Sequence, residues 1–245
     1  MSPSHTRKIP VLPTIVTLIA VLILCGLGKW QLDRLAWKTD ILTNLEKARQ
    51  YDQQKTPLSS DTLKSVTSQT DFKAGFIEGR FHNDKETAVG PRTYRGIAGY
   101  HIITPFEMQD GTIILVNRGW VSEEYLPQSE RREFLREGQT KVFGMARPSE
   151  KANRFTPDNK PNQNEWYHVD VAQIAKYNGF HDHDISPYIF YSEKLNKYYQ
   201  GFPVPHDPTW APENNHLGYA LFWFTMAGVL LIIYYLRFLR KPKDA

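Results

Sequence analysis

Leu217–Leu236, LGYALFWFTMAGVLLIIYYL, is a run of twenty residues without a formal charge, and its reading decides what kind of protein this is. As a helix rising about 1.5 Å per residue it spans roughly 30 Å, the thickness of a bilayer's hydrocarbon core. An equally long uncharged run extends from Ile9 to Gly28. A cleaved signal peptide would carry an apolar region of about 7–15 residues and end in a small-residue cleavage site. The first run is longer and has neither feature, and Leu24 stands before Cys25 where a lipoprotein site needs a small residue. Both runs are therefore expected to be transmembrane helices, spanning 9–28 and 216–236.

Arg7 and Lys8 precede the first span, and Arg237, Arg240, Lys241 and Lys243 follow the second. Positive flanks stay on the cytoplasmic side, so 1–8 and 237–245 are expected to be cytoplasmic tails, with 29–215 a domain on the outer side. Lys29, Arg34 and Lys38 count the other way, but long domains translocate largely regardless of charge. These tails also account for the net charge of +4. What remains is close to neutral, which excludes a nucleic-acid surface and assigns the tails to anionic membrane lipid. A mean hydropathy of −0.49 despite two spans makes the middle a water-soluble domain, large enough for its own core. The single cysteine, Cys25, lies inside the first span, so packing rather than a disulfide within the chain must stabilise that domain.

Leu32, Leu35, Leu42 and Leu45 continue the first helix to about Arg49, and 56–70 reads as a polar loop with one short helix. The period then changes to two. Strands are predicted at 72–81, 86–91, 100–106, 113–121, 141–147, 166–169 and 188–191, with a hairpin at Asp110-Gly111. Short helices are predicted at 130–137 and at 171–177 with Asp170 as N-cap. The fold class is thus a membrane protein whose two helices flank a β-rich α+β domain, an antiparallel sheet or a small, partly closed barrel.

No G-x-S-x-G elbow, H-E-x-x-H, Walker loop or C-x-x-C occurs. Gly26-Leu27-Gly28 begins like a dinucleotide fingerprint but lacks the third glycine and sits in a span. His181-Asp182-His183-Asp184 presents an H-x-H pair that would serve a metal-dependent hydrolase, yet a third and fourth ligand are missing, and a solvated loop is the simpler reading. His82, His101 and His168 lie in strand-like contexts and receive no role. His216 stands apart. Pro212, Glu213 and Asn214-Asn215 form a helix start, which puts His216 in the first turn of an apolar helix, near the positive end of its dipole. There a second positive charge is disfavoured, and an imidazole lone pair stays available for a metal. An ionisable group so close to lipid is a functional-site candidate by default. Ala220, Trp223 and Ala227 share its helical face and leave room for a flat apolar cofactor, or alternatively for close helix packing. Cys25 is a conceivable second ligand, although a small buried residue is the preferred reading.

Three separated motifs carry a resemblance over nearly the whole chain: Gly28-Lys29-Trp30-Gln31-Leu32-Asp33-Arg34-Leu35-Ala36-Trp37-Lys38, then Asp110-Gly111 with Leu115-Val116-Asn117-Arg118-Gly119-Trp120-Val121, then Asn214-Asn215-His216-Leu217-Gly218-Tyr219-Ala220 leading to Trp223. Together they resemble the surfeit-locus family of cytochrome c oxidase assembly proteins, with Lys29, Gly218 and Phe222 departing from its pattern. The resemblance implies a non-enzymatic protein that binds haem a and aids its insertion into the oxidase catalytic subunit, with a haem a synthase as a further partner. His216 matches the family's haem ligand and Trp223 its supporting aromatic. No Arg-rich transit segment precedes the first span, which points to a bacterial inner-membrane member with a periplasmic domain. For Asn117-Arg118-Gly119-Trp120 the expected role is structural: Arg118 pairs with a carboxylate, Gly119 relieves a crowded strand and Trp120 fills the core. Docking of a partner is the alternative.

Overall fold

The computed structural model describes residues 10–50, 56–64, 71–149, 152, 154–181, 184–194, 201–207 and 213–240. The chain divides into two compact units: residues 1–42 with 212–245, and residues 43–211. In the first unit, helix α1 (Val11–Arg49) meets α3 (His216–Tyr234), which ends in a wider π-helical turn at Tyr235–Leu239. Both helices are long and apolar enough to cross a membrane. Only 6% and 11% of their apolar windows are buried, so neither is the core helix of a soluble protein. The two run antiparallel. Thr14 Oγ1 lies 2.5 Å from Tyr234 Oη, and at the other end Asn214 Nδ2 donates to Thr39 Oγ1 at 3.2 Å. Between these, Gly28 takes the ring of Phe224, where an added Cβ would come within 2.6 Å of it.

The second unit is built on one six-stranded sheet: β1 (Lys73–Phe81), β2 (Thr87–Tyr94), β3 (Ile97–Met108), β4 (Ile113–Ser122), β5 (Thr140–Pro148) and β6 (Ile185–Ser192). Its order is β1-β5-β6-β4-β3-β2, and β3 also pairs with β1. Strand β3 is long enough to serve both neighbours: Ile97–Ile103 pair with β2, and Phe106–Met108 with Phe81–Gly79. Five strands therefore close a ring with β2 outside it, the partly closed barrel expected. One pairing departs from the antiparallel expectation, since β4 and β6 run parallel. A parallel pair needs a long crossover rather than a hairpin, and β5 with helix α2 (Val171–Tyr177) supplies it.

Two apolar clusters share this sheet. Leu63, Ile77, Phe106, Ile114, Val116, Tyr188 and Phe190 belong to one. Val89, Ile103, Leu115, Trp166, Ile174 and Ile189 belong to the other, against α2. Strand β4 feeds both, so it is buried at nine successive positions and shows no alternation of burial. The last turns of α1 place Leu45 and Ala48 with Ala74 and Met145. Asp170 caps α2 as expected, accepting from Gln173 N at 3.0 Å. At the hairpin only Gly111 takes a positive φ, +86°; its N–H donates to Met108 O at 3.0 Å, closing a four-residue turn, and Asp110 Oδ1 accepts from Thr112 N.

Two sequence-predicted elements are different. The strand expected at 166–169 is an irregular segment with a bridge at Val89–Trp166. Its Tyr167 and His168 N–H groups both donate to Asn159 Oδ1, which removes them from any ladder. The helix expected at 130–137 is a 3-10 turn at Gln128–Phe134, broken at Arg131 (φ −140°). That side chain is 1% exposed and donates to Tyr125 O, Leu126 O and both carboxylate oxygens of Glu86, so satisfying a buried guanidinium outweighs helix continuity.

Asn117-Arg118-Gly119-Trp120 is where β4 bends. The register with β3 slips between Ile102 and Ile103, and Gly119 has φ +129°. An added Cβ would sit 2.0 Å from Val204 O. That approach lets Trp120 and Val204 exchange two backbone hydrogen bonds, of 2.9 and 2.7 Å. Trp120 is buried as expected, with Nε1 donating to Arg92 O at 3.0 Å. Among its contacts, Arg118 donates to Asn83 Oδ1 and Phe134 O, with its guanidinium over Phe81. Gly119→Ala should destabilise the domain by about 3 kcal/mol or more, because it combines a forbidden φ with a backbone collision. A fall in the thermal midpoint of roughly 5–15 °C in circular dichroism checks this.

Candidate functional site

His216 is the first residue of α3 and is half-buried. The neighbour that orients it comes from α1. Gln31, 9% exposed, sets its Oε1 2.7 Å from His216 Nδ1. An amide oxygen only accepts, so Nδ1 carries the proton and Nε2 keeps the lone pair. Among the described residues Nε2 has no partner. The imidazole is thus held in a tautomer that suits ligation through Nε2, with Nδ1 anchored by Gln31 as a ligating histidine's other nitrogen usually is.

The rest of the expected face is closed. Ala220 and Ala227 are 1% and 4% exposed and Trp223 is half-buried. With Gly28 and Gln31 they form the buried seam of this unit. The small residues here permit close approach of helices. Cys25 is not level with His216: Gln31 is, and Cys25 lies six residues earlier, roughly 9 Å along the helix axis. Of the His181–Asp184 cluster, Asp182 and His183 lie outside the described residues. Among the described residues no group of three or more His, Cys, Asp or Glu could hold a metal ion. His82 pairs with Glu107 at 3.0 Å beside Arg80, a polar surface arrangement.

A second constellation was not singled out by sequence. His101, on β3, and His206, on the segment after β6, bring their rings to 5.1 Å in an edge contact. Asn117 orders the first of them. Its Oδ1 accepts from Gly119 N at 3.1 Å, so its Nδ2 donates to His101 Nδ1 at 3.2 Å. Burial, aided by the charge of Arg92, pushes His101 down to about 4. Burial, aided by His101 and Arg147, pushes His206 down to about 3. His206 follows no motif, and its nearness to His101 depends on pairings far apart in the chain; only the Asn117–Gly119 motif opposite hinted at a special location.

These features define a class: a membrane protein with an ordered, partly ring-shaped β-domain between two apolar helices and an oriented imidazole at the head of the second. The chain belongs to the SURF1 family, whose model matches residues 18–228. It is 31% identical to a SURF1-like protein of Monosiga brevicollis, over 88% of this chain and 83% of that one. It is 27% identical to surfeit locus protein 1 of Homo sapiens, over 88% and 74%, and 29% identical to a SURF1-like protein of Caenorhabditis elegans, over 87% and 70%.

The two depressed histidines make a prediction about pH. Their folded values lie below the ordinary value of about 6.5, so the unfolded chain protonates first as pH falls. The stability they contribute is complete above about pH 6.5 and is lost as pH falls toward 4. Replacing both by Gln should flatten the fall in unfolding free energy between pH 7 and 4, by roughly 2–4 kcal/mol after discounting for partial exposure and mutual coupling. Thermal unfolding followed by near-ultraviolet circular dichroism at each pH measures it.

Proposed function

We propose that this protein is an assembly factor for a haem–copper cytochrome c oxidase, holding haem a through His216 and passing it to the catalytic subunit. The observation that carries the reading is the 2.7 Å contact between His216 Nδ1 and Gln31 Oε1, which leaves Nε2 free at the start of an apolar helix. Family membership supports the assembly role. Haem a, when bound, supplies an iron for that nitrogen to ligate, and the first-turn N–H groups of α3 can receive a carboxylate. The chain needs no covalent chemistry: it binds and orients its cargo, and a recipient with higher affinity takes it. In this reading the protein resides in a bacterial inner membrane with both tails cytoplasmic and residues 29–215 periplasmic. A haem a synthase is the donor, and lipid surrounds α1 and α3.

One observation favours a second reading. The seam at Ala220, Ala227 and Gly28 is already packed, as it would be in a scaffold that steadies an oxidase intermediate without touching haem. Visible spectra of protein purified from a haem a-producing host separate the two. A carrier shows stoichiometric haem that His216→Ala abolishes and that Gln31→Leu reduces about tenfold in affinity, the usual effect of losing a ligand's outer partner. A haem-free spectrum in native protein and His216→Ala alike favours the scaffold.

A further inference from the structure

We propose that Trp30, Arg34 and Trp37, on the stretch of α1 that follows its uncharged run, form a site for the phosphodiester of an anionic membrane lipid, one whose headgroup carries no cation of its own. The inference rests on α1 spanning the membrane and not on the haem-carrier reading.

The three residues are spaced i, i+4 and i+7, so they share one side of the helix. All three are exposed, and that side is not the seam, to which Gln31 belongs. The uncharged run ends at Gly28. At about 1.5 Å per residue, the backbones of Trp30, Arg34 and Trp37 stand roughly 3, 9 and 14 Å beyond it. Helical side chains lean toward the N-terminus, here back toward the lipid, and cover the turn before their own Cα. The Trp30 ring thus falls at the acyl boundary. The Arg34 guanidinium falls in the headgroup layer, which is about 5–8 Å thick on each side.

An interfacial anchor accounts for Trp30. It does not account for the cation. Lys29 donates to Asp33 at 2.7 Å, and Lys38 donates to Glu213 O. The Arg34 guanidinium has no hydrogen-bond or carboxylate partner among the described residues; it lies over the Trp37 ring, 3.8 Å from the centroid. The sequence explains the difference. Asp33 stands four residues after Lys29, whereas the positions three and four away from Arg34 hold Trp30, Gln31, Trp37 and Lys38. A guanidinium held against an indole face keeps its edge N–H groups for another partner, as the fork that takes two phosphate oxygens at once. Trp30, one turn nearer the lipid, offers an apolar ring to the glycerol and first methylenes. In phosphatidylcholine the headgroup's own ammonium already neutralises the phosphate. In phosphatidylglycerol the complementary charge is left to Arg34, hence the preference for an anionic lipid.

Native mass spectrometry of the full chain in neutral detergent, offered equal phosphatidylglycerol and phosphatidylcholine, tests this. One bound phosphatidylglycerol per chain is expected, in clear excess over phosphatidylcholine. Arg34→Gln should lower its occupancy roughly tenfold, and Arg34→Lys should not restore it, because a point charge lacks the fork. Lys29→Gln, which removes an equal charge from outside the stripe, and His216→Ala should leave it unchanged. Gln is a good helix former at an exposed position, and circular dichroism verifies the fold of each variant. If Arg34→Gln unfolds, Trp37→Leu, which removes the ring that holds the guanidinium, decides by the same loss. No preference for phosphatidylglycerol overturns the proposal, as does equal loss in Arg34→Gln and Lys29→Gln, the signature of diffuse surface charge. Displacement of the lipid by inorganic phosphate at about 10 mM would overturn a lipid as the occupant. Haem loss in Arg34→Gln with lipid binding intact would assign the guanidinium to a propionate instead.

Discussion

Strand β4 is covered on both faces and bonded along both edges, and the β-domain is arranged around that constraint. Its alternate side chains enter two different apolar clusters, Ile114 and Val116 in one and Leu115 in the other. On one edge it pairs with β3 over its full length. On the other, β6 accompanies it to Asn117, after which Val204 takes over at Trp120. A strand with no solvent-facing side must bond every backbone group to protein, because an unpaired buried amide is costly. Gly119 makes the exchange of neighbours feasible, since the incoming Val204 carbonyl occupies the space a side chain would need.

The same short motif has consequences beyond the backbone. Asn117, fully buried, accepts from Gly119 N and donates to His101, so one side chain stabilises the bend and assigns a tautomer. Trp120 turns from the bend into the wall of a cavity, and the segment that brings Val204 also brings His206. The bend places the groups, and the groups make the cavity.

The two apolar helices answer a different constraint. In lipid their outer surfaces need only be apolar, and Leu221, Phe222 and Ile232 are exposed accordingly. Specificity rests on the few contacts of the seam. A glycine receives a phenylalanine, two alanines allow approach, and a glutamine meets a histidine. The polar pair is the informative one, because the Gln31 amide oxygen takes up the His216 Nδ1 proton across the seam and Nε2 has no partner among the described residues.

Features legible in the sequence were those governed by near neighbours. The uncharged runs declared α1 and α3, Asp170 announced the cap of α2, and Gly111 the hairpin, because hydropathy, capping and φ preference act within a few residues. His216 at a helix start was legible for the same reason. Elsewhere local preference was overruled. Asn159 took the N–H groups of the expected strand at 166–169, and the buried Arg131 broke the expected helix. What the sequence by itself determined was a membrane protein with a β-rich domain, three family motifs and one imidazole in a telling position. Only the tertiary structure decided that Gln31 faces His216 across 185 residues of chain, that β4 and β6 run parallel, and that His101 and His206 share a cavity. Those outcomes depend on how distant segments satisfy one another's buried polar groups and volumes, and no local pattern encodes that.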